Sequence, residues 1–169
     1  MLPLNVSTWR DLYPDALEEL PGDAPKPKGS CMRITIWVDA DHAHDKVTCR
    51  SVTGVVVMLN NVIVKTFSKR QTTVESSTYG SEMIAARIGT DMAVEIRHML
   101  HMLGVPIDGS ALMLGDNKSV VLNTTIPSSA LKKKHQMIAC RCVPCPRQGY
   151  LQVSYWSCSH VKQCDSENF

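Results

Sequence analysis

Hydrophobic and polar residues alternate along the chain in segments that predict strands first. The stretch "MRITIWV" alternates with period two, as a half-buried strand does, and "SVTGVVVML" is an almost continuous apolar strand. A third strand, "VIVKTFS", follows the pair Asn60 and Asn61. Because asparagine tolerates the positive φ of tight turns, the three segments predict an antiparallel meander.

The next segment, "SSTYGSEMIAARIGTDMAVEIRHMLHMLG", has helical spacing and predicts one long helix. Ser76 to Thr78 are candidates for the N-cap, and Gly104 is the predicted end. The apolar positions that define its buried face are Met83, Ile84, Ala86, Ile88, Met92, Ala93, Ile96, Met99, Leu100 and Leu103.

The remaining segments predict parallel strands separated by helices. "ALMLGD" is a short strand and "NKSVVLNTT" a short helix that ends before Pro127. "SSALKKKHQMIACRCV" begins a helix that Pro144 and Pro146 should break, and "YLQVSYW" is the last strand. This order predicts an α/β domain with a mixed five-stranded sheet, three antiparallel strands and then two parallel ones, flanked by helices.

Composition divides the chain into an arm and one domain. The stretch "YPDALEELPGDAPKPKGS" holds four of the 9 prolines and alternating charges, so residues 1–30 are predicted to be a linker or extended arm. Residues 31–169 are the length of one ordinary domain.

Charge and hydropathy limit the kinds of nucleic-acid and membrane interaction that we expect. With 18 Lys and Arg against 16 Asp and Glu, the formal charge is +2, so any nucleic-acid affinity must come from a local patch. No apolar run approaches the ~20 residues that span a bilayer, and the N-terminus lacks the pattern of a signal peptide. We therefore expect a protein without a membrane partner that is intracellular, cytoplasmic or nuclear, and not secreted.

The 7 cysteines favour neither a disulfide scaffold nor a regular zinc motif. Cys142 and Cys145 have C-x-x-C spacing, and Cys158, His160 and Cys164 could complete a tetrahedron. A zinc-binding interaction module is thus an alternative, but the spacing beyond the C-x-x-C is irregular and we favour no zinc ligands.

Three acids are predicted at ends of elements that face one edge of the sheet. Asp39 follows the first strand, Asp116 ends the strand "LMLGD", and Glu82 lies in the first turns of the long helix. Ligands bind at such strand ends in open α/β sheets, and carboxylates are the ligands that Mg²⁺ prefers. On spacing alone, the acids could equally cap turns and balance the helix dipole.

Four ordered motifs resemble the ribonuclease H domain of copia-type (Pseudoviridae-like) LTR retrotransposon polyproteins. They are "VDADHAHDKVTCRSVTGVVVML", "FSKRQTTVESSTYGSEMIAARI", "LMLGDNKSVVLN" and "LKKKHQMIA", and the resemblance runs from about Met32 to Val153. It implies a ribonuclease H-like fold and a metal-dependent endonuclease that cleaves the RNA strand of RNA–DNA hybrids. It also implies that Asp39, Glu82 and Asp116 hold two Mg²⁺ or Mn²⁺ ions. A reverse transcriptase domain in a longer polyprotein is a further implied partner.

The end of the chain departs from the family pattern. The family carries a fourth acid in an "NPAD..TK"-like motif, whereas this chain ends "WSCSHVKQCDSENF", where Asp165 is the only Asp and its neighbours do not match. Asp165 is therefore a weak candidate for the fourth catalytic acid, and the C-terminal end is predicted to be truncated or divergent. A catalytically decayed remnant that keeps the fold and at most binds nucleic acid is the alternative function.

Basic residues near the motifs are candidates for phosphate contacts with a hybrid, or else for a solvated surface. His42 and His44 beside the first acid are interpreted as loop residues, not ligands. The candidate phosphate contacts are Lys69, Arg70, Lys132, Lys133, Lys134 and His135.

Overall fold

The computed structural model describes residues 20, 22–125 and 151–155. The described strands form one five-stranded sheet in the order β3-β2-β1-β4-β5. The first three strands pair antiparallel, and β4 and β5 add in parallel. The predicted mixed sheet is confirmed. The elements are β1 (Ile34–Asp41), β2 (Val52–Leu59), β3 (Val62–Arg70), α1 (Thr78–Met102), β4 (Ala111–Gly115), α2 (Lys118–Thr125) and β5 (Leu151–Tyr155).

The core lies between the sheet and α1. Alternate residues of β1 are buried, as the period-two pattern predicts. The most buried side chains of β1 and β2 face Met83, Ala86 and Ala93 of the helix within one hydrophobic cluster. Those strand residues are Ile34, Ile36, Val38, Val55 and Val57.

Both ends of α1 have the capping residues that the sequence predicts. The Ser77 hydroxyl accepts a hydrogen bond from the Gly80 N–H at 3.4 Å. At the other end Gly104 has a φ of +66° and donates to the His101 carbonyl, while the Val105 N–H reaches the Leu100 carbonyl. This paired bonding is the Schellman motif, which stops the helix where glycine allows a left-handed residue.

The predicted buried face of α1 is wrong at its C-terminal end. Met99 and Leu103 are 49% and 70% exposed, while Arg97 is buried and its guanidinium donates to the Gly109 carbonyl at 2.7 Å. Periodicity marks every apolar residue on a broad arc of the helix, but in the last turns Ile96 and Leu100 are buried while Met99 and Leu103 at the margin of that arc are not. The polar Arg97 is buried because a backbone carbonyl satisfies it.

The segment before β1 lies alongside the loop that joins α1 to β4. Lys28 N–H donates to the Gly104 carbonyl, and Met32 exchanges backbone hydrogen bonds with Pro106 and Asp108. The Lys28 bond places this residue of the predicted arm beside the α1–β4 loop. Within the described residues, no helix is long and apolar enough to cross a membrane.

Candidate functional site

The sheet register places two of the predicted acids side by side. β1 and β4 run parallel, and their last paired position joins Val38 to Gly115. Asp39 and Asp116 are each the residue after that pair, at the same edge of the sheet. The two carboxylates therefore meet where the parallel strands separate.

The third acid reaches this edge from α1. Glu82 lies near the N-terminal end of the helix, on its buried face. Oxygen atoms of Asp39, Glu82 and Asp116, one from each, lie within 4.8 Å of one another. Asp39 and Asp116 are exposed whereas Glu82 is only 8% exposed. The structure thus brings together the three acids that the sequence singled out, and we call them the acidic cluster.

Local bonding fixes the two aspartate segments. The Ala40 N–H donates to Asp39 Oδ1 at 2.8 Å. Asn117, directly after Asp116, caps α2 by accepting from the N–H groups of Ser119 and Val120 at 3.0 and 3.3 Å. The start of α2 therefore holds the backbone next to Asp116 in place.

The surroundings of Glu82 make its charged form costly. An apolar hollow under its side chain is lined by residues of β1, α1, β4 and α2. Burial, and after it the charges of Asp116 and Asp39, raise the pKa of Glu82 to about 8, an effect that the Ala40 N–H partly offsets. Burial and the charge of Asp39 also raise the pKa of Asp116. The apolar residues that line the hollow include Val38, Ala86, Met113, Val120 and Val121.

The donor atoms of the acidic cluster fit a hard divalent cation. All of them are carboxylate oxygens, which suit Mg²⁺ and Mn²⁺ and do not select zinc. A cation among them would also relieve the repulsion that raises the pKa of Glu82.

Arg70, one of the candidate phosphate contacts, forms an ion pair with the loop between β1 and β2. Arg70 Nη1 donates to Asp45 Oδ2 at 2.8 Å, and the same oxygen accepts from the Thr48 hydroxyl at 2.7 Å. The Thr48 hydroxyl, the N–H groups of Val47 and Thr48, and Arg70 together hold the pKa of Asp45 well below its usual range. Arg70 therefore ties this loop to β3, whereas Lys69 beside it is exposed.

Both histidines of the loop have contacts outside the acidic cluster. His44 Nδ1 lies 2.6 Å from Asp41 Oδ2. His42 Nδ1 lies 3.4 Å from the hydroxyls of Ser51 and Ser81. These contacts agree with the interpretation of both as loop residues.

The remaining candidates lie outside the described residues, and their roles stay predictions. They are the weak fourth acid Asp165, the basic run Lys132, Lys133, Lys134 and His135, and the cysteine and histidine residues of the zinc alternative.

A group of buried polar side chains near the start of α1 was missed by the hydrophobic pattern. Polar residues at strand ends are usually exposed, so periodicity does not mark them as buried. Gln71 directly follows β3 and is therefore outside the alternating pattern of the strand, which gives no prediction of its burial. The members of this group are Ser51, Thr53, Gln71 and Ser81.

Solved ribonucleases H share this architecture. RNase H1 from the halophilic archaeon Halobacterium salinarum NRC-1 matches with a TM-score of 0.57 at 10% identity, over 77% of this chain and 89% of that chain. LC11-RNase H1, solved in complex with an RNA/DNA hybrid, matches with a TM-score of 0.55 at 12% identity, over 75% and 87%.

A third neighbour is the N-terminal RNase H domain of a Mycobacterium tuberculosis protein, solved as a fusion with maltose-binding protein. Its TM-score is 0.55 at 14% identity, and the match covers 74% of this chain and 86% of that chain. No protein-family profile and no curated protein matches the sequence. At these identities the likeness shows the fold alone, so the predicted ribonuclease H-like fold is confirmed.

Proposed function

We propose that the chain is a metal-dependent endonuclease of the ribonuclease H type, which hydrolyses the RNA strand of RNA–DNA hybrids. The observation that carries the proposal is the acidic cluster at the edge of a ribonuclease H-like sheet. A structural neighbour that was solved with an RNA/DNA hybrid supports the substrate class. The four copia-type motifs support an origin in a retrotransposon polyprotein, where a reverse transcriptase domain would be a covalent partner.

In this proposal Asp39, Glu82 and Asp116 hold two Mg²⁺ or Mn²⁺ ions. Bound there, the ions supply the positive charge that activates a water molecule and stabilises the leaving oxygen. Asp39 and Asp116 are exposed, so a nucleic acid can reach them. Glu82 lines the apolar hollow and is only 8% exposed. Because the pKa of Glu82 is about 8, cation binding near neutral pH requires this side chain to release a proton.

The predicted phosphate contact Lys69 lies on the edge strand of the meander. Thr53 of β2 pairs with Ala40 on one side and with Lys69 on the other. Lys69 thus lies two strands, or about 10 Å of sheet width, from the strand that carries Asp39. An exposed cation on this strand is a candidate for contact with a backbone phosphate of a bound hybrid. Contacts to 2′-hydroxyl groups in the minor groove would distinguish RNA from DNA.

A second candidate function is binding without hydrolysis. The motif that carries the fourth acid of the family is not matched in the C-terminal sequence, and Asp165 is a weak substitute. Loss of one carboxylate would leave a cation without part of its compensating charge. A decayed domain of this kind keeps the fold and at most binds nucleic acid.

A cleavage assay separates the two candidates. The full chain is incubated with a hybrid labelled on its RNA strand, in Mg²⁺, in Mn²⁺ or in a chelator, with double-stranded DNA as the control substrate. The endonuclease predicts internal cleavage of the RNA strand that depends on the cation and is absent from the DNA. Binding of the hybrid with an intact RNA strand under every metal condition supports the decayed domain instead.

A further inference from the structure

Gln71 links the two segments that carry Asp39 and Glu82. Its amide Nε2 donates to the Thr53 hydroxyl and to the Ser81 carbonyl, both at 2.9 Å. Its backbone N–H donates to the Ser51 carbonyl at 2.8 Å. Because a carbonyl can only accept, the bond to Ser81 fixes which side of the amide faces α1.

Each hydrogen-bond partner of the amide is next to a segment that carries an acid of the acidic cluster. Ser81 directly precedes Glu82 in α1. Thr53 is the cross-strand partner of Ala40, whose N–H donates to Asp39 Oδ1. A displacement of either partner would therefore move one carboxylate relative to the other.

The buried position of Gln71 is costly for the fold. The side chain is 5% exposed, and its Oε1 has no hydrogen-bond partner among the residues that the structure describes. A buried acceptor without a partner loses its hydration without compensation. Methionine has a similar length and would fill the same space without that loss. Core packing alone thus does not account for an amide at this position.

We propose that Gln71 is a positioning residue, whose amide holds the start of α1 against β2 and so sets the separation of the Asp39 and Glu82 carboxylates. This inference rests on the proposed function of the acidic cluster as a metal site. Residues that orient metal ligands without touching the metal usually change its affinity by about 10-fold to 100-fold when they are mutated. We expect the same of Gln71.

The test measures Mn²⁺ binding by calorimetry and thermal unfolding on the same full-length samples. Gln71→Met removes the amide while it keeps the volume. The matched control is Thr90→Val, which removes another buried hydrogen bond of α1, from the Thr90 hydroxyl to the Ala86 carbonyl at 2.8 Å. Thr90 lies two turns along the helix from Glu82, so its loss changes the stability of α1 and not the position of the carboxylates.

The expected result is a Mn²⁺ affinity about 10-fold lower in Gln71→Met and unchanged in Thr90→Val. Equal affinities in the two variants would overturn the inference, because the amide would then have only a structural role. Should Gln71→Met not fold, the pair Thr53→Val and Thr53→Ser replaces it. Valine removes the acceptor of the Gln71 amide and should weaken Mn²⁺ binding, whereas serine keeps the hydroxyl and should not. Equal binding by both would again overturn it.

The wild-type protein separates this inference from the proposed function. If wild type and Asp39→Asn bind Mn²⁺ equally poorly, the metal site itself is wrong and both proposals fall. If wild type binds through Asp39 but the Gln71 or Thr53 substitutions change nothing, only the role of Gln71 falls.

Discussion

Gly89 of α1 lies against Val38 of β1 so closely that a Cβ on the glycine would overlap Val38 Cγ1. Val38 directly precedes Asp39, and Gly89 lies two helical turns after Glu82. The approach of these two residues therefore brings the helix and strand that carry the acids close together. Glycine is required here for space and not for an unusual φ.

The first prediction concerns this contact. Gly89→Ala should lower the free energy of unfolding by about 1–3 kcal/mol, because the added methyl forces α1 away from the sheet. The gain in helix propensity of up to about 1 kcal/mol offsets only part of this loss. Chemical denaturation of wild type and variant measures the difference in the free energy of unfolding.

A double mutant identifies the cause. Val38→Ala removes most of the side chain that the new methyl meets. The double variant should therefore lose less free energy of unfolding than the two single variants lose together. Additive effects would mean that the overlap with Val38 is not what limits this position.

The second prediction concerns pH and the metal-free protein. The pKa of Glu82 is about 8 in the folded chain, above its ordinary value of 4.5, so the folded state keeps a proton that the unfolded state releases. This contribution to stability is fully present below about pH 4.5 and is lost as the pH rises through 8. The free energy of unfolding, measured in a chelator, should therefore be lower at pH 8.5 than at pH 5.

Glu82→Gln should reduce this decrease, because the amide does not titrate. We expect the variant to exceed wild type at pH 8.5 by about 1–2 kcal/mol. This is less than the whole shift from 4.5 to about 8 would give at ~1.4 kcal/mol per pKa unit, because solvent screens the exposed Asp39 and Asp116 beside Glu82. An unchanged pH profile in the variant would show that Glu82 is not the group that titrates.

The third prediction separates Lys69 from Arg70. Lys69→Ala should weaken hybrid binding and lower the slope of log affinity against log salt by about 1, because one phosphate contact is lost. Arg70→Ala should in addition open the β1–β2 loop, since Arg70 also holds Asp45. Hydrogen exchange at the Val47 and Thr48 amides measures the loop, and it should change only in Arg70→Ala.

Lys69→Ala thus serves as the control for charge without loop opening. Faster exchange in both variants, or in neither, would contradict the separate role of Arg70.

The extent to which the sequence predicts this site differs from residue to residue. Asp39 and Asp116 could be predicted together because parallel strands end at the same edge of a sheet. Glu82 could be added because the helix that follows the meander must cover that sheet. The motif resemblance named these same acids, and the structure places their oxygens within 4.8 Å.

Other features could not be predicted, because they depend on how separated elements meet. The bond between Arg70 and Asp45 joins residues 25 positions apart through the register of β2 and β3. The burial of Gln71 depends on how closely α1 approaches the end of β3, which no periodicity reports. The exposure of Met99 beside the buried Leu100 depends on which part of the last helical turn is covered by other elements.

The most direct test of the central claim compares two neighbouring aspartates in the cleavage of a labelled RNA–DNA hybrid with Mg²⁺. Asp39 belongs to the acidic cluster, whereas Asp41, two residues along the same strand, is paired with His44 outside it. Asp39→Asn should lower the cleavage rate by about 100-fold or more, because a cation loses a charged ligand, and Asp41→Asn should cleave at close to the wild-type rate. Wild-type cleavage by Asp39→Asn, or an equal loss in both variants, would contradict the assignment of the acidic cluster as the active site.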